Sequence, residues 1–169
     1  MPELLLEVGC EELPAAFVEK ALTDLRDSVG AHLRRAGVLN SDGMCLGTPR
    51  RLIVSFPDLD YRQADETKEQ RGPALRAAYD EAGNPTPALL GFCRSQGLDP
   101  DKVRRDDHYV WATKTVPGRD TSALLAEILP QAIRGLAFEK SMRWGSSRMR
   151  FARPIRWILA AFDGAAVDF

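Results

Sequence analysis

The sequence predicts an α+β (mixed α/β) fold: a central sheet with packed helices and an inserted or second small subdomain. Three observations predict it. First, Leu4-Leu5-Leu6-Glu7-Val8 and Ile155 to Phe162 are short apolar runs of strand length, one near each end of the chain. Second, Phe17, Ala21, Leu25, Val29 and Leu33 recur every four residues, the spacing of a helix that buries one stripe. Third, the composition between about Arg71 and Pro117 shifts to short helix-prone pieces separated by turn residues. The chain then divides into residues 1–70, an N-terminal α+β subdomain; 71–117, a small subdomain or insertion; and 118–169, a helix plus strands returning to the core sheet.

Leu4 to Val8 reads as a first, central strand ending at Gly9-Cys10-Glu11-Glu12-Leu13-Pro14. Pro14 suits the first turn of a helix, where its missing N–H is no loss. The helix spans about Ala15 to Ala36, with Val18 and Leu22 widening the stripe, basic Arg34 and Arg35 near its negative end, and Gly37 as its stop. Asn40 to Gly43 is a turn. Met44 to Gly47 and Leu52 to Phe56 are strands that can pair across Thr48-Pro49-Arg50-Arg51. Gln63 to Gln70 is charged enough for an exposed edge strand. Ala74 to Ala82 is helix-prone, Gly83-Asn84-Pro85 is a turn, and a helix opens at Thr86 or Pro87 and stops at Gly97. His108 to Val116 is a strand. Asp120 or Thr121 caps a helix carrying Leu124, Leu125, Ile128, Leu129, Ala132, Ile133 and Leu136, bent at Pro130. Ile155 to Phe162, apolar apart from Arg156, reads as a strand buried on both faces, and Asp163-Gly164 turns a hairpin.

The 169 residues are 44% hydrophobic and 28% charged, ordinary for a globular chain. A net charge of −1 argues against a dedicated, strongly basic nucleic-acid binder but permits a local basic face. No apolar run reaches membrane-spanning length, and the N-terminus lacks the basic region and cleavage site of a secretory signal. The expected location is the cytoplasm, with no membrane partner. Cys10, Cys45 and Cys93 are odd in number and widely spaced, and neither His32 nor His108 is near one in sequence, so free thiols are expected and no metal site.

The chemistry-bearing stretch runs from Lys140 to Phe162. It holds Lys140, Arg143, Arg148, Arg150, Arg153 and Arg156 and no acidic residue. An arginine held at a strand entry can meet a phosphate or carboxylate two-pronged. Arg50 and Arg51 form a second such pair. Two readings stand. In one, Arg143, Arg148, Arg150 and Arg153 are held for an external phosphate or carboxylate; Arg148 and Arg150 are spaced to share one face of an extended segment. In the other, the tryptophans are core residues and Arg50, Arg51, Arg153 and Arg156 clamp internal carboxylates such as Glu11 and Glu12. Glu11 and Glu12 have their own simplest explanation as carboxylates at the positive end of the first helix. An enzyme using Glu11 or Glu12 with a strand-end arginine is a further alternative. No phosphate-binding glycine loop, dinucleotide fingerprint or nucleophile elbow occurs, so no catalytic residue is assigned.

Four segments, in order along the chain, resemble one family. Leu5-Leu6-Glu7-Val8-Gly9-Cys10-Glu11-Glu12-Leu13-Pro14 resembles the opening of the β subunit of bacterial heterotetrameric glycyl-tRNA synthetase. Thr48-Pro49-Arg50-Arg51-Leu52, then Arg71-Gly72-Pro73, then Met142-Arg143-Trp144-Gly145 with Phe151-Ala152-Arg153-Pro154-Ile155-Arg156-Trp157 resemble its later signatures. Cys10 departs from the threonine more often expected there. The resemblance implies a non-catalytic N-terminal portion of a glycine–tRNA ligase subunit that supports tRNA(Gly) aminoacylation through tRNA positioning, subunit assembly or both. It implies ATP and Mg²⁺ on a separate α subunit. It implies as partners that α subunit, a second β subunit in an α2β2 assembly, and tRNA(Gly). On that resemblance Arg143, Arg148, Arg150 and Arg153 would meet tRNA phosphates and Trp144 would stack on an unpaired base. A structural scaffold and a stand-alone RNA-binding module are the alternatives.

Overall fold

A computed structural model describes residues 1–169. In chain order the elements are β1 (Leu4–Cys10), α1 (Ala15–Ala36), β2 (Met44–Thr48), β3 (Arg51–Phe56), β4 (Glu66–Ala74), α2 (Leu75–Ala78), α3 (Pro87–Gln96), a 3₁₀ turn (Pro100–Lys102), β5 (Arg104–Arg105), β6 (Tyr109–Val116), α4 (Thr121–Arg134), β7 (Met142–Arg143), β8 (Arg150–Phe151), β9 (Ile155–Phe162) and β10 (Ala165–Ala166). They form two compact units, one of Met1–Gln63 with Arg119–Phe169, the other of Ala64–Gly118. β4 straddles the expected boundary at residue 70, yet it lies whole in the second unit. Its partner is β6, with Glu66 opposite Val116 and Arg71 opposite Trp111.

The first unit is built on a five-stranded sheet of order β10-β9-β1-β3-β2. β1 is central because its alternate residues Leu4, Leu6 and Val8 are apolar and fully buried on one face. It pairs antiparallel with β3, Leu6 opposite Val54, and with β9, Leu6 opposite Ala160. That face packs on α1 and α4. Ala21, Leu25, Val29 and Leu33 of α1 join Leu125, Leu129 and Ala132 of α4 in one core with β1 and β3. Each such leucine contributes about 1.5–3 kcal/mol on burial. α1 ends where expected, with Gly37 left-handed at φ 70°. Asp120 is the N-cap of α4 but makes no side-chain cap bond. Thr121, buried, instead donates its hydroxyl to the Asp60 carbonyl at 2.6 Å.

The strand expected to be buried on both faces is not. Trp157, Ile158 and Leu159 in the middle of β9 are 41%, 42% and 50% exposed. The sheet carries α1 and α4 on one face, and β10 covers the outer edge of β9 only at Phe162 and Ala161. An apolar run therefore signals strand here without signalling two covering layers.

The second unit is a small sheet of order β4-β6-β5 with α2 and α3. Its core is Ala78, Leu89, Cys93, Val103 and Val110. The Arg71-Gly72-Pro73 segment makes the register shift in β4 between Arg71 and Ala74. Proline is tolerated there because β4 is an edge strand. A Cβ on Gly72 would lie 2.7 Å from the Phe92 ring, so glycine lets α3 close on the strand.

Candidate nucleic-acid interface

The arginines flagged in the sequence separate into two groups with different surroundings. The first gathers where β1 ends. Three backbone bonds stitch the loop after β1 to both neighbouring connections: Cys10 N–H donates to Arg50 O at 3.0 Å, Leu13 N–H to Pro49 O at 2.7 Å, and Glu11 N–H to Pro154 O at 2.9 Å. This carries Glu11 and Glu12 to the arginines. Glu12 lies 3.6 Å from Arg50 and Glu11 lies 3.4 Å from Arg156. Arg153 donates from Nε to the Glu12 carbonyl at 3.2 Å. Neither glutamate sits in the first turn of α1, which has no acidic residue. Their carboxylates answer arginines from other strands, and the helix-end explanation gives way to that one. Beside them Trp157 donates Nε1–H to Glu7 at 2.7 Å, and the Arg51 guanidinium lies 5.6 Å from the Trp157 ring centre and 3.8 Å from Glu7. The Arg50–Glu12 and Arg156–Glu11 pairs are exposed, so each is worth only about 0–1 kcal/mol, whereas the Glu7 carboxylate is largely buried. The main effect of these carboxylates is to neutralise Arg50, Arg51 and Arg156. Cys10, under this loop, is buried, and burial followed by the Glu11 charge pushes its thiol pKa up, away from the reactive thiolate.

The second group is on the β7–β8 hairpin. Met142 pairs with Phe151 and Arg143 with Arg150, which puts two guanidinium-bearing residues directly opposite each other. Like charges so placed destabilise a ladder unless an anion joins them. The hairpin is anchored by Phe151, buried and edge-on to Phe138 with ring centres 4.8 Å apart. Trp144 donates Nε1–H to the Phe151 carbonyl at 3.0 Å and packs half-buried on the main core. Its indole N–H is thus committed to the hairpin itself. Arg150 donates to Ser141, from Nε to the hydroxyl at 3.1 Å and from a terminal nitrogen to the carbonyl at 2.6 Å. Arg143 and Arg148 form neither an ion pair nor a side-chain hydrogen bond.

Arg148 and Arg150 line one open cleft of about 800 Å³ together with Arg134, Ser141 and Ser147. No carboxylate lines it. Sequence pattern does not single out Arg134. Its only signal was a basic residue in the last turn of α4, which the helix dipole explains as well. The second unit adds three arginine–aromatic contacts that sequence reasoning also missed: Arg71 over Tyr109, Arg104 over Trp111 and Arg105 over Tyr79, at 4.9, 5.5 and 4.0 Å. Arg104 also pairs with Glu69 at 3.2 Å. Strand register brings Arg71 to Tyr109 and Arg104 to Trp111, and the turn after α2 brings Tyr79 to Arg105; nothing in local spacing announces these contacts.

The arrangement can hold an anion on the hairpin side and cannot do so equally at the end of β1, where the charge is already matched. No three His, Cys, Asp or Glu side chains converge as a metal ligand set. No helix is long and apolar enough to cross a membrane.

Comparison with known proteins agrees with the four segments. Residues 4–169 match the family model described as glycyl-tRNA synthetase beta subunit. The chain is 49% identical over 171 residues to the glycine–tRNA ligase beta subunit of Desulforamulus reducens, covering 99% of this chain and 25% of that protein. It is 43% identical to the proteins of the same name from Syntrophus aciditrophicus and from Geobacter sp. strain M21, again over 99% of this chain and 25% of theirs. The chain thus spans about a quarter of the length of these curated relatives, their N-terminal quarter. With the family model matched from the first strand onward, the chain belongs to the glycyl-tRNA synthetase beta subunit family.

Proposed function

We propose that this chain is a non-catalytic, RNA-positioning part of a glycine–tRNA ligase, and that its β7–β8 hairpin meets phosphates of tRNA(Gly). The observation that supports this is the division among the arginines. Glu7, Glu11 and Glu12 answer Arg51, Arg156 and Arg50, while Arg143 and Arg148 have no counter-charge and Arg148 borders an acid-free cleft with Arg134 and Arg150. Guanidinium groups without carboxylate partners are available for phosphate oxygens. On this reading Arg50, Arg51, Arg153 and Arg156 fix the loop after β1, and Trp144 holds the hairpin rather than a base. ATP and Mg²⁺ would be held by the α subunit, and the working assembly would be α2β2 in the cytoplasm. The hairpin arginines would bind and orient, and bond-making would belong to the partner.

The test is a double charge reversal, Arg143→Glu with Arg148→Glu, in the assembled ligase, with tRNA affinity measured against salt. Each lost phosphate contact lowers the slope of log K against log salt by about 0.7–0.9, so a fall of about 1.5 is expected. Unchanged affinity and unchanged slope would remove the hairpin from the RNA surface. A second role, in subunit assembly, is open to the loop after β1, which lies apart from the hairpin sheet. Loss of co-purification with the α subunit on Arg50→Glu, at unchanged tRNA affinity, would support it.

A further inference from the structure

The uncovered side of the five-stranded sheet is unusual for a finished domain. The registers place Leu46, Ile53, Glu7 and Leu159 in one row across it, Met44, Ser55, Leu5 and Ala161 in a second, and Thr48, Arg51, Gly9 and Trp157 in a third. Directly opposed residues share a face, so these rows form the face away from α1 and α4. Met44 is 61% exposed, Leu46 72%, Leu5 37% and Leu159 50%. Isolated exposed leucines need no explanation, but a contiguous apolar patch marks a contact surface.

The edge beside that face is also incomplete. β10 meets β9 at Phe162 and Ala161, and Val167 N–H reaches Ala160 O. From Ile155 to Leu159, β9 has a strand on one side only. Ile158 shows the cost. It lies opposite Val8 on the helix-facing side, where Val8 is fully buried and Ile158 is 42% exposed. A long apolar edge of this kind is a template for strand addition, and natural sheets cover it.

We infer that a further segment of the same polypeptide closes this sheet, adding a strand along β9 and an apolar layer over Leu46, Leu5, Leu159 and Trp157. Two observations select that occupant. The relatives carry about three further quarters of chain beyond the part matched here. And the face is not electropositive: Arg51 is matched by Glu7, and Ser55 donates to Glu3 at 2.6 Å, so it offers a polyanion nothing. A neutral apolar face with one pinned tryptophan and one arginine has the make-up of a protein contact. This inference is independent of any RNA contact by the hairpin.

The test places the photo-crosslinker p-benzoylphenylalanine at Leu46 and, separately, at Leu159 of the full-length subunit assembled with its companion chain and tRNA. Leu46 is exposed enough that its replacement removes no core contact, which keeps the test valid if the Leu159 variant folds poorly. Products are mapped by mass spectrometry, with isotopically mixed subunits separating intrachain from interchain links. A link from either position to residues of the same chain beyond 169 is expected. No product at either position, or products joined only to the companion chain, a second copy or tRNA, overturns the inference.

Discussion

Trp157 occupies the space that a side chain on Gly9 would need: a Cβ on Gly9 falls 1.9 Å from indole atom Cε2. The two residues are direct partners across β1 and β9. Gly9→Ala should therefore push the indole outward and break its bond to Glu7, at a cost of about 1–3 kcal/mol in denaturant unfolding. The same substitution in a Trp157→Ala background should cost far less, because the clash is gone. Equal costs in both backgrounds would show that the indole does not set the requirement for glycine.

Thr121 is the one fully buried polar side chain, and it ties α4 to the segment after β3 through the Asp60 carbonyl. Thr121→Val keeps the shape and leaves that carbonyl unpaired. A loss of about 1–3 kcal/mol is expected, with Thr121→Ser losing less. Urea midpoints of the two variants provide the comparison.

Asp106 sits in the turn before β6 and accepts from the backbone N–H groups of His108 at 2.8 Å and Tyr109 at 2.6 Å, and from the indole of Trp111. These bonds, backbone first, hold its carboxyl below its ordinary pKa. A lowered folded-state value stabilises above the unfolded value and loses that effect as pH falls through the folded one. Amide exchange at His108 and Tyr109 should accelerate, relative to the unperturbed chain, as pH drops from about 5 to about 2. Asp106→Asn should flatten that dependence.

Removing a clamp arginine should contrast with removing a hairpin arginine. Arg156→Ala breaks an exposed pair with Glu11, so stability should change by less than about 1 kcal/mol. Its effect on tRNA affinity in the assembled ligase should be nil, whereas Arg148→Ala should weaken binding and more so at low salt. Equal losses from both variants would erase the distinction between the two groups.

Much of the fold was written in local pattern. The four-residue repeat from Phe17 to Leu33 yields α1 with the bounds expected, because helix periodicity and Gly37 agree, while Pro14 stands at the N-cap, just before the first turn expected for it. The pairing of β2 with β3 followed from two β-prone runs and a short turn. What local pattern does not carry is what lies above a strand. Ile155 to Phe162 has the composition of a doubly buried strand, and only the placement of α1 and α4 on a single face reveals Leu159 in solvent. The site was legible as a set of arginines but not as a partition. Glu12 meets Arg50, and Arg153 meets the Glu12 carbonyl 141 positions away, through strand registers that no neighbouring residue encodes.

The central place of β1 carries a consequence for biosynthesis. Its two neighbours come from distant points of the chain: β3 closes on it early, whereas β9 begins roughly 100 residues after β3 ends. At a translation rate of about 5–20 residues per second, one side of β1 waits roughly 5–20 s for its partner on the ribosome. During that interval the nascent sheet of β1, β3 and β2 exposes a bare aliphatic margin, while Ala64–Gly118 can already gather its own separate core. The newborn subunit is therefore most vulnerable to chaperone capture and to mispairing with a neighbouring nascent chain in the window that ends when β9 arrives.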